Sequence, residues 1–350
     1  MNKLKIGFVG TGSMGQCAHL INYANLREEC EVVAIAEPRA KLAQLVAQHY
    51  GIPAIYKDHK ELITNGGVDA IVAAQPFRRH SLIIPDILRA RIPVFTEKPV
   101  TMTVEAAEPL VALGEELGVL HVIGNQKRSD PSIEYAKALI DEWKQSGEMG
   151  RMKYIRATMP RGDWRAGADL PLMTDEPNPR DKLEAFPTEF NDYWGKQYNA
   201  FVNYYIHQLN YIRFLLGESC QVTYADRGGV LLVMETASRV TATLEMEPYR
   251  TSVEWHESVL VGFEYGYVKI DLPAPLARAT AGKVTIMKDN DKEKSYSQPI
   301  LPNLDSMRKQ AMNFLAAVRG ERPAVCSAKD ALEDLKLSMQ YIRLMAAYST

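Results

Sequence analysis

Leu4-Lys-Ile-Gly-Phe-Val-Gly-Thr-Gly-Ser-Met-Gly15 decides how this chain is read. Leu4, Ile6, Phe8 and Val9 form a short apolar run of the kind that becomes a buried strand. Gly10-x-Gly12-x-x-Gly15 follows at once, and Gln16 to Leu26 has the pattern of a helix. A strand that passes through such a turn into a helix is the order a dinucleotide-binding site needs. Gly10 permits the tight turn, Gly12 lets backbone approach a pyrophosphate, and Gly15 lets the helix pack on the strand. The N–H groups that open the helix, around Ser13 and Met14, face the phosphate charge. Glycine turns also occur for packing alone, so the setting matters: the next strand, Glu31 to Ala36, ends at Glu37. A carboxylate there accepts hydrogen bonds from ribose hydroxyls and repels a 2′-phosphate, which puts NAD ahead of NADP. Arg39 argues the other way, unless it is simply solvated at the start of the following helix.

Working outward, helix 40–50 stops at Gly51, and a short strand near Ile55 and a small helix opened by Asp58 come next. Strand 69–74 runs into Gln75-Pro76 and His80, and strand 93–96 into Glu97-Lys98-Pro99. Helix 103–117 and strand 119–123 lead to Gly124–Arg128, which includes Gln126. This alternation predicts an α/β fold with a doubly wound parallel sheet over residues 1–125, whose ligands bind at the carboxyl ends of the strands. Lys98 stands at one such end and precedes a stiffening proline. A lysine beside a strand is usually a solvated charge. Next to an oxidised nicotinamide its ammonium form is disfavoured, and the amine can take a proton from a substrate hydroxyl.

The chain has 350 residues, enough for two domains, with 46% hydrophobic and 24% charged residues and a formal net charge of −2. Nothing there points to a nucleic-acid or membrane partner. Cys17, Cys30, Cys220 and Cys326 are spaced as neither a metal site nor a disulfide framework, so a cytoplasmic location and no metal are expected. No apolar run reaches the ~18 residues of a membrane span, and the start lacks a signal-peptide pattern.

Residues 126–350 read as a second α/β domain, whose final helix can pack back on the first. Helix 131–145 and strand 151–159 precede a long connection, 160–195, which carries Arg161, Asp163 and Trp164. Its aromatics argue for order, as an arm that covers substrate or crosses to another subunit. A helix over 200–216 puts Asn203, His207, Asn210 and Phe214 on one narrow face. A helical histidine is more often packed than catalytic, so this face gains weight only beside other motifs. Six strands between 221 and 288 predict a large open, mostly antiparallel sheet. Leu232, Met234, Leu244, Met246 and Val259 form either an exposed face that joins copies into a dimer or tetramer, or core beneath helices.

The glycine turn, Glu97-Lys98-Pro99 and Gly124-Asn-Gln-Lys-Arg-Ser-Asp-Pro131 together resemble the glucose–fructose oxidoreductase/inositol dehydrogenase (Gfo/Idh/MocA) family, as do Gln75-Pro76-x-x-x-His80 and Asn203-Tyr-Tyr-Ile-His207-Gln-Leu-Asn210. The resemblance spans nearly the whole chain. It implies a Rossmann domain followed by an α/β domain whose open sheet packs in oligomers. It also implies NAD(P)-linked oxidation or reduction of sugars, polyols or related small molecules. The lysine of the Glu-Lys-Pro motif is a catalytic or nicotinamide-proximal residue in the family, which carries onto Lys98. The helix departs from the family's Asp-x-Gly-x-His-x-x-Asp at three places, with Asn203 and Asn210 for the aspartates and Tyr205 for the glycine. Asn203 can hydrogen-bond a hydroxyl but cannot offset charge on an imidazolium. The expected function is an NAD-dependent dehydrogenase of a sugar, polyol or glycoside. In it Lys98 and His207, held by Asn203, manage the hydroxyl proton, and Arg128, Arg161, Asp163 and Trp164 contact the substrate. Two alternatives keep the cofactor: a glycosidase that oxidises its sugar transiently, on an anionic sugar if the arginines face it, and a regulator without turnover.

Overall fold

Six strands, β1 (Leu4–Val9), β2 (Cys30–Ala36), β3 (Ala54–Tyr56), β4 (Ala70–Ala73), β5 (Val94–Glu97) and β6 (His121–Gly124), are short and largely apolar; the inner ones are buried on both faces toward their carboxyl ends, as in a helix-covered parallel sheet, and edge strand β3 leaves Ile55 exposed. They lie in the order β3-β2-β1-β4-β5-β6, each neighbouring pair parallel. Helices α1 (Ile21–Ala24), α2 (Ala40–Tyr50), α3 (His59–Asn65), α4 (His80–Arg89) and α5 (Val104–Leu117) connect them. The order reverses between β1 and β4, and a sheet wound this way opens a ligand crevice at that reversal, outside the strands' carboxyl ends. The expected helix from Gln16 to Leu26 is not continuous α-helix. Gly15–Leu20 is π-helical and passes into α1, a widened turn of the kind that recurs at functional sites.

The structure, a computed structural model, describes residues 2–179 and 182–348. By contact the chain forms two units. The first holds residues up to Asn125 together with Ala168–Gly195 and Gln310–Leu335. Its core joins Ile6, Phe8, Leu20, Ile35, Val72 and Phe95 to Phe314 and Leu315. The second holds Gln126–Gly167, Lys196–Lys309 and the residues from Lys336.

After α6 (Pro131–Ser146) and β7 (Met152–Arg161), the chain continues through α7 (Asp192–Tyr204) and α8 (Ile206–Leu216). Then come β8 (Cys220–Ala225), β9 (Leu231–Thr236), β10 (Thr241–Arg250), β11 (Glu257–Phe263), β12 (Gly266–Leu272), β13 (Lys283–Asp289) and β14 (Lys294–Ser297). Helices α9 (Ser306–Val318) and α10 (Ala328–Ala347) follow. The second sheet runs β14-β13-β12-β11-β7-β10-β9-β8, with β7 and β10 parallel and the other neighbours antiparallel. Strands β11 and β12 alternate buried and half-buried residues, the mark of a sheet with one face packed. Leu232, Met234, Leu244, Met246 and Val259 lie on the packed face and are at most 2% exposed. The exposed-face reading of these five is therefore corrected: they lie in the core of the second unit, where α8 packs on β7 and β10 and α6 on β12 and β13, and the half-buried positions of the other face include Tyr154, Val233, Leu260 and Tyr267.

Candidate active site

The chain leaves β1 and turns at Gly10, whose φ of +91° suits glycine. A Cβ there would fall 2.2 Å from the Gln75 amide nitrogen and 2.8 Å from the Ala74 carbonyl oxygen. Gly15 is equally closed, its Cβ position 2.7 Å from the Gly10 carbonyl oxygen. Gly12 differs. A Cβ there meets nothing nearer than Arg39 Nη2 at 3.9 Å, and Ser13 beside it is exposed. The helical turn that starts here, through Ser13 and Met14, has first amides without an intrahelical acceptor. Two of the three glycines are required by contacts inside the fold and one is not. That is the shape of a cradle for an anionic group from outside, and a dinucleotide's pyrophosphate fits it.

Glu37, one residue past β2, is 3% exposed. Its Oε2 accepts from the Thr11 amide, the Thr11 hydroxyl and Arg39 Nη2, each at 3.0 Å. Its Oε1 accepts from Arg39 Nε at 2.7 Å and the Arg39 amide at 3.2 Å. Burial pushes this carboxyl up, but the Arg39 and Thr11 hydrogen bonds outweigh it and hold it below the usual carboxylate range. The two residues that the sequence set against each other over the ribose are thus one bidentate pair, and any hydroxyl reaching Glu37 competes with Arg39. Gln75 lies against Gly10 and accepts from Arg79 Nη1 at 2.8 Å, while Pro76 is exposed. His80 is fully buried at the start of α4 and donates from Nδ1 to the Val100 carbonyl at 3.1 Å, which pins the chain beyond Pro99. Burial pushes the His80 imidazole down, so it stays neutral.

Lys98 follows β5, half-buried, and the Lys98–Pro99 peptide is cis. Glu97 receives the Lys98 amide on Oε2 at 3.3 Å and meets His19 Nε2 through Oε1 at 2.6 Å. Burial pushes the Glu97 carboxyl up, yet His19, with help from Lys98, more than reverses this and holds it below the usual carboxylate range. Burial lowers the Lys98 amine, and the Glu97 charge restores only part, so Lys98 sits below the ordinary lysine range. A lysine whose neutral form is brought within easier reach is suited to accept a proton. Sequence reading missed His19; the signal was the four-residue spacing from Gly15, which carries a buried imidazole back to the end of β5.

In the second unit the expected single helix over 200–216 is corrected. α7 ends at Tyr204, Tyr205 takes φ −97° and ψ −3°, and α8 begins at Ile206. The Tyr205 carbonyl accepts from both Gln208 and Leu209 amides, and its ring packs against Phe201 and Tyr204. Asn203, exposed at the end of α7, and His207, half-buried in the first turn of α8, therefore flank a corner. Asn210 is buried, and Arg128, 4% exposed, donates to its carbonyl at 3.2 Å while lying 4.8 Å over the Phe214 ring. Gln126 is 1% exposed, its amide oxygen without a partner among the described residues. Arg161 and Trp164 are exposed, and Asp163 accepts from the Arg165 amide. A buried pair that no sequence pattern announced, Lys127–Glu257 at 2.8 Å, is completed by Gln208 and Trp255. Among the described residues, no group of three His, Cys, Asp or Glu is placed to hold a metal, and no helix is long and apolar enough to cross a membrane.

Residues 4–125 match the model of an oxidoreductase family with an NAD-binding Rossmann fold. This stretch carries the NAD-binding Rossmann domain of the Gfo/Idh/MocA oxidoreductase family, and the longer chain resembles its dehydrogenases. An inositol 2-dehydrogenase of Corynebacterium glutamicum is 24% identical, over 82% of this chain and 80% of that one. A scyllo-inositol 2-dehydrogenase (NAD(+)) of Bacillus subtilis is 25% identical over 66% of this chain and 58% of its own length. The structure of UDP-N-acetylglucosamine 3-dehydrogenase from Acidithiobacillus ferrooxidans has the same fold, with a TM-score of 0.72, 18% identity and 100% of both chains covered. In the first unit the glycine turn and Glu97-Lys98-Pro99 follow the family pattern, while Gln75 and Phe77 stand where it has Thr and Asn. In the second unit the departures from that pattern are Asn203 and Tyr205 at the corner between α7 and α8 and Asn210 within α8.

Proposed function

We propose that this protein is an NAD-dependent dehydrogenase of a secondary alcohol on a cyclic polyol, sugar or glycoside. The observation that carries the reading is Lys98: an amine held below its usual range, one residue past β5, in a unit whose Gly12 opens a cradle. When bound, NAD supplies the hydride acceptor. Gly12, Ser13 and Met14 seat its pyrophosphate. Gln75 and Pro76 border that cradle, and Glu37 with Arg39 meets the adenosine ribose. Lys98 takes the proton of the reacting hydroxyl, while Glu97, fixed by His19, limits how far the amine's proton affinity falls. In the second unit we assign Asn203 and His207 to substrate hydroxyls, as the family pattern implies, and Arg161, Asp163 and Trp164 to the rest of the sugar. The names of the relatives, inositol 2-dehydrogenases among them, support a polyhydroxylated ring. Tyr154, Leu260 and Tyr267, on the other face, make the second sheet the proposed surface for self-association.

Incubation with NAD and a panel of inositols, sugars and chromogenic glycosides tests this. NADH accumulation with at least one cyclic polyol or sugar is the expected result. Release of an aglycone that requires NAD, without NADH, replaces dehydrogenation by the transient oxidation of a glycosidase. Tight NAD binding with neither product leaves a regulator.

A further inference from the structure

Residues 168–179 and 182–184 lie along the carboxyl edge of the first unit's own sheet, tied to the segments that follow β1, β2, β4 and β5. Cys17 Sγ donates to the Asp169 carbonyl at 3.3 Å. The Gln16 side chain pairs with the backbone of Leu172 in both directions, at 3.1 and 2.8 Å, and Leu172 packs on the core. At the far end Glu184 accepts from the amides of Met102 and Thr103 and from the hydroxyls of Ser81 and Thr103, while Arg78 Nε donates to its carbonyl.

Between these anchors the segment reaches α2. That helix has no side-chain cap of its own at Arg39. The cap comes from Glu176, whose carboxylate accepts from the Lys41 amide at 3.1 Å and the Leu42 amide at 2.9 Å, and from the Thr174 hydroxyl at 3.0 Å. Burial pushes this carboxyl up, but those two amides outweigh it, so it stands there as an anion. Both nearby cations are also engaged. Arg39 is held by Glu37 and, through Nη1, by Asn178 at 3.0 Å, and Lys41 Nζ meets Asp175 at 2.8 Å.

In a doubly wound sheet the end of β2 and the start of the next helix receive the adenosine ribose, so a 2′-phosphate has to settle among the groups just named. It needs open amides at the helix start, an uncommitted cation and no competing carboxylate. Here each of the three is occupied by the chain itself. The geometry points to Glu176 as a specificity-determining residue: a carboxylate far along the chain that sits at the α2 N-terminus and excludes dinucleotides carrying a 2′-phosphate. This rests on the proposed dinucleotide reading of the crevice and adds to it a second negative charge, beside Glu37, that works by position and like-charge repulsion.

The test is calorimetric titration of the full chain with NAD and with NADP, using wild type, Glu176→Gln and Glu176→Ala, with thermal unfolding to confirm that each is folded. Removing the charge is expected to tighten NADP binding about tenfold while NAD affinity stays within about threefold. Glu176→Gln, which keeps one acceptor oxygen for the cap, guards against a variant that loses the helix cap altogether. Glu184→Gln is the control: it loosens the other anchor and is expected to leave the NADP-to-NAD ratio unchanged. An unchanged ratio in both Glu176 variants that still bind NAD overturns the assignment, as does an equal gain in Glu184→Gln, which would mean that any loosening of the segment suffices. Failure of folded wild type to bind either dinucleotide overturns the reading beneath it instead.

Discussion

The crevice of the first unit and the α7–α8 corner of the second are built on different terms. In the crevice the polar groups answer one another at short range: Arg39 grips Glu37 two residues away, and Glu97 receives the amide of its neighbour Lys98. Glu37 also accepts from Thr11 and Glu97 meets His19, so each charge survives burial because it has hydrogen-bonding partners, some local and some distant in the chain. At the corner, Asn203 and His207 lie on two helices separated by a bend at Tyr205, and Asn210 is turned into the packing. The difference teaches that paired charges hold the crevice, whereas helix packing shapes the corner, where Asn203 and Tyr205 replace residues of the family pattern.

The largest expected effect sets the two regions against each other. Lys98→Met is expected to cut turnover by roughly 10²–10⁴, the range for a lost acid–base group, with NAD affinity within a few-fold. His207→Ala, at the altered corner, should cost about tenfold or less. Equal losses in steady-state assays would break the comparison.

The next effect separates the glycines. Gly12→Ala should weaken NAD binding by tenfold or more, on the order of 1.4 kcal/mol, with its melting temperature unchanged. Gly10→Ala, with its positive φ and the Gln75 amide in the way, should instead lose on the order of 1–3 kcal/mol of stability. Titration and thermal unfolding together check this, and a Gly12→Ala protein that melts early would make Gly12 a packing glycine.

The smallest effect is a displacement along the pH axis. Burial holds Lys98 low and the Glu97 charge raises it part of the way back. As proton acceptor Lys98 works when neutral, so kcat/KM for alcohol oxidation rises with pH through its titration. Glu97→Gln removes the raising charge, and that rising limb should move to lower pH. A limb that stays in place, or moves up, would detach Glu97 from the tuning of Lys98.

Much of the first unit was legible because its information is local. A strand, a glycine turn and a helix have periods of two and 3.6 residues that read off consecutive positions, and Lys98 could be singled out because it follows a strand. The second unit was less legible. Both a face shared by copies and a face packed within the chain consist of alternating apolar residues, so Leu232 and Val259 allowed either reading until both were seen to be fully buried. The bend at Tyr205 was hidden too, since a tyrosine is an acceptable helix residue and its ring contacts decide the break.

By itself, then, the sequence determined the α/β class, the parallel sheet, the glycine cradle and the strand end that presents Lys98, all of which follow from residues close together in the chain. Tertiary structure alone decided that His19 meets Glu97, that Lys127 is buried against Glu257, and that a carboxylate from position 176 caps the helix beginning at Ala40. Such contacts join groups from 78 to 135 positions apart. No periodicity records them, because burial and hydrogen bonding choose partners by distance in space and not by order along the chain.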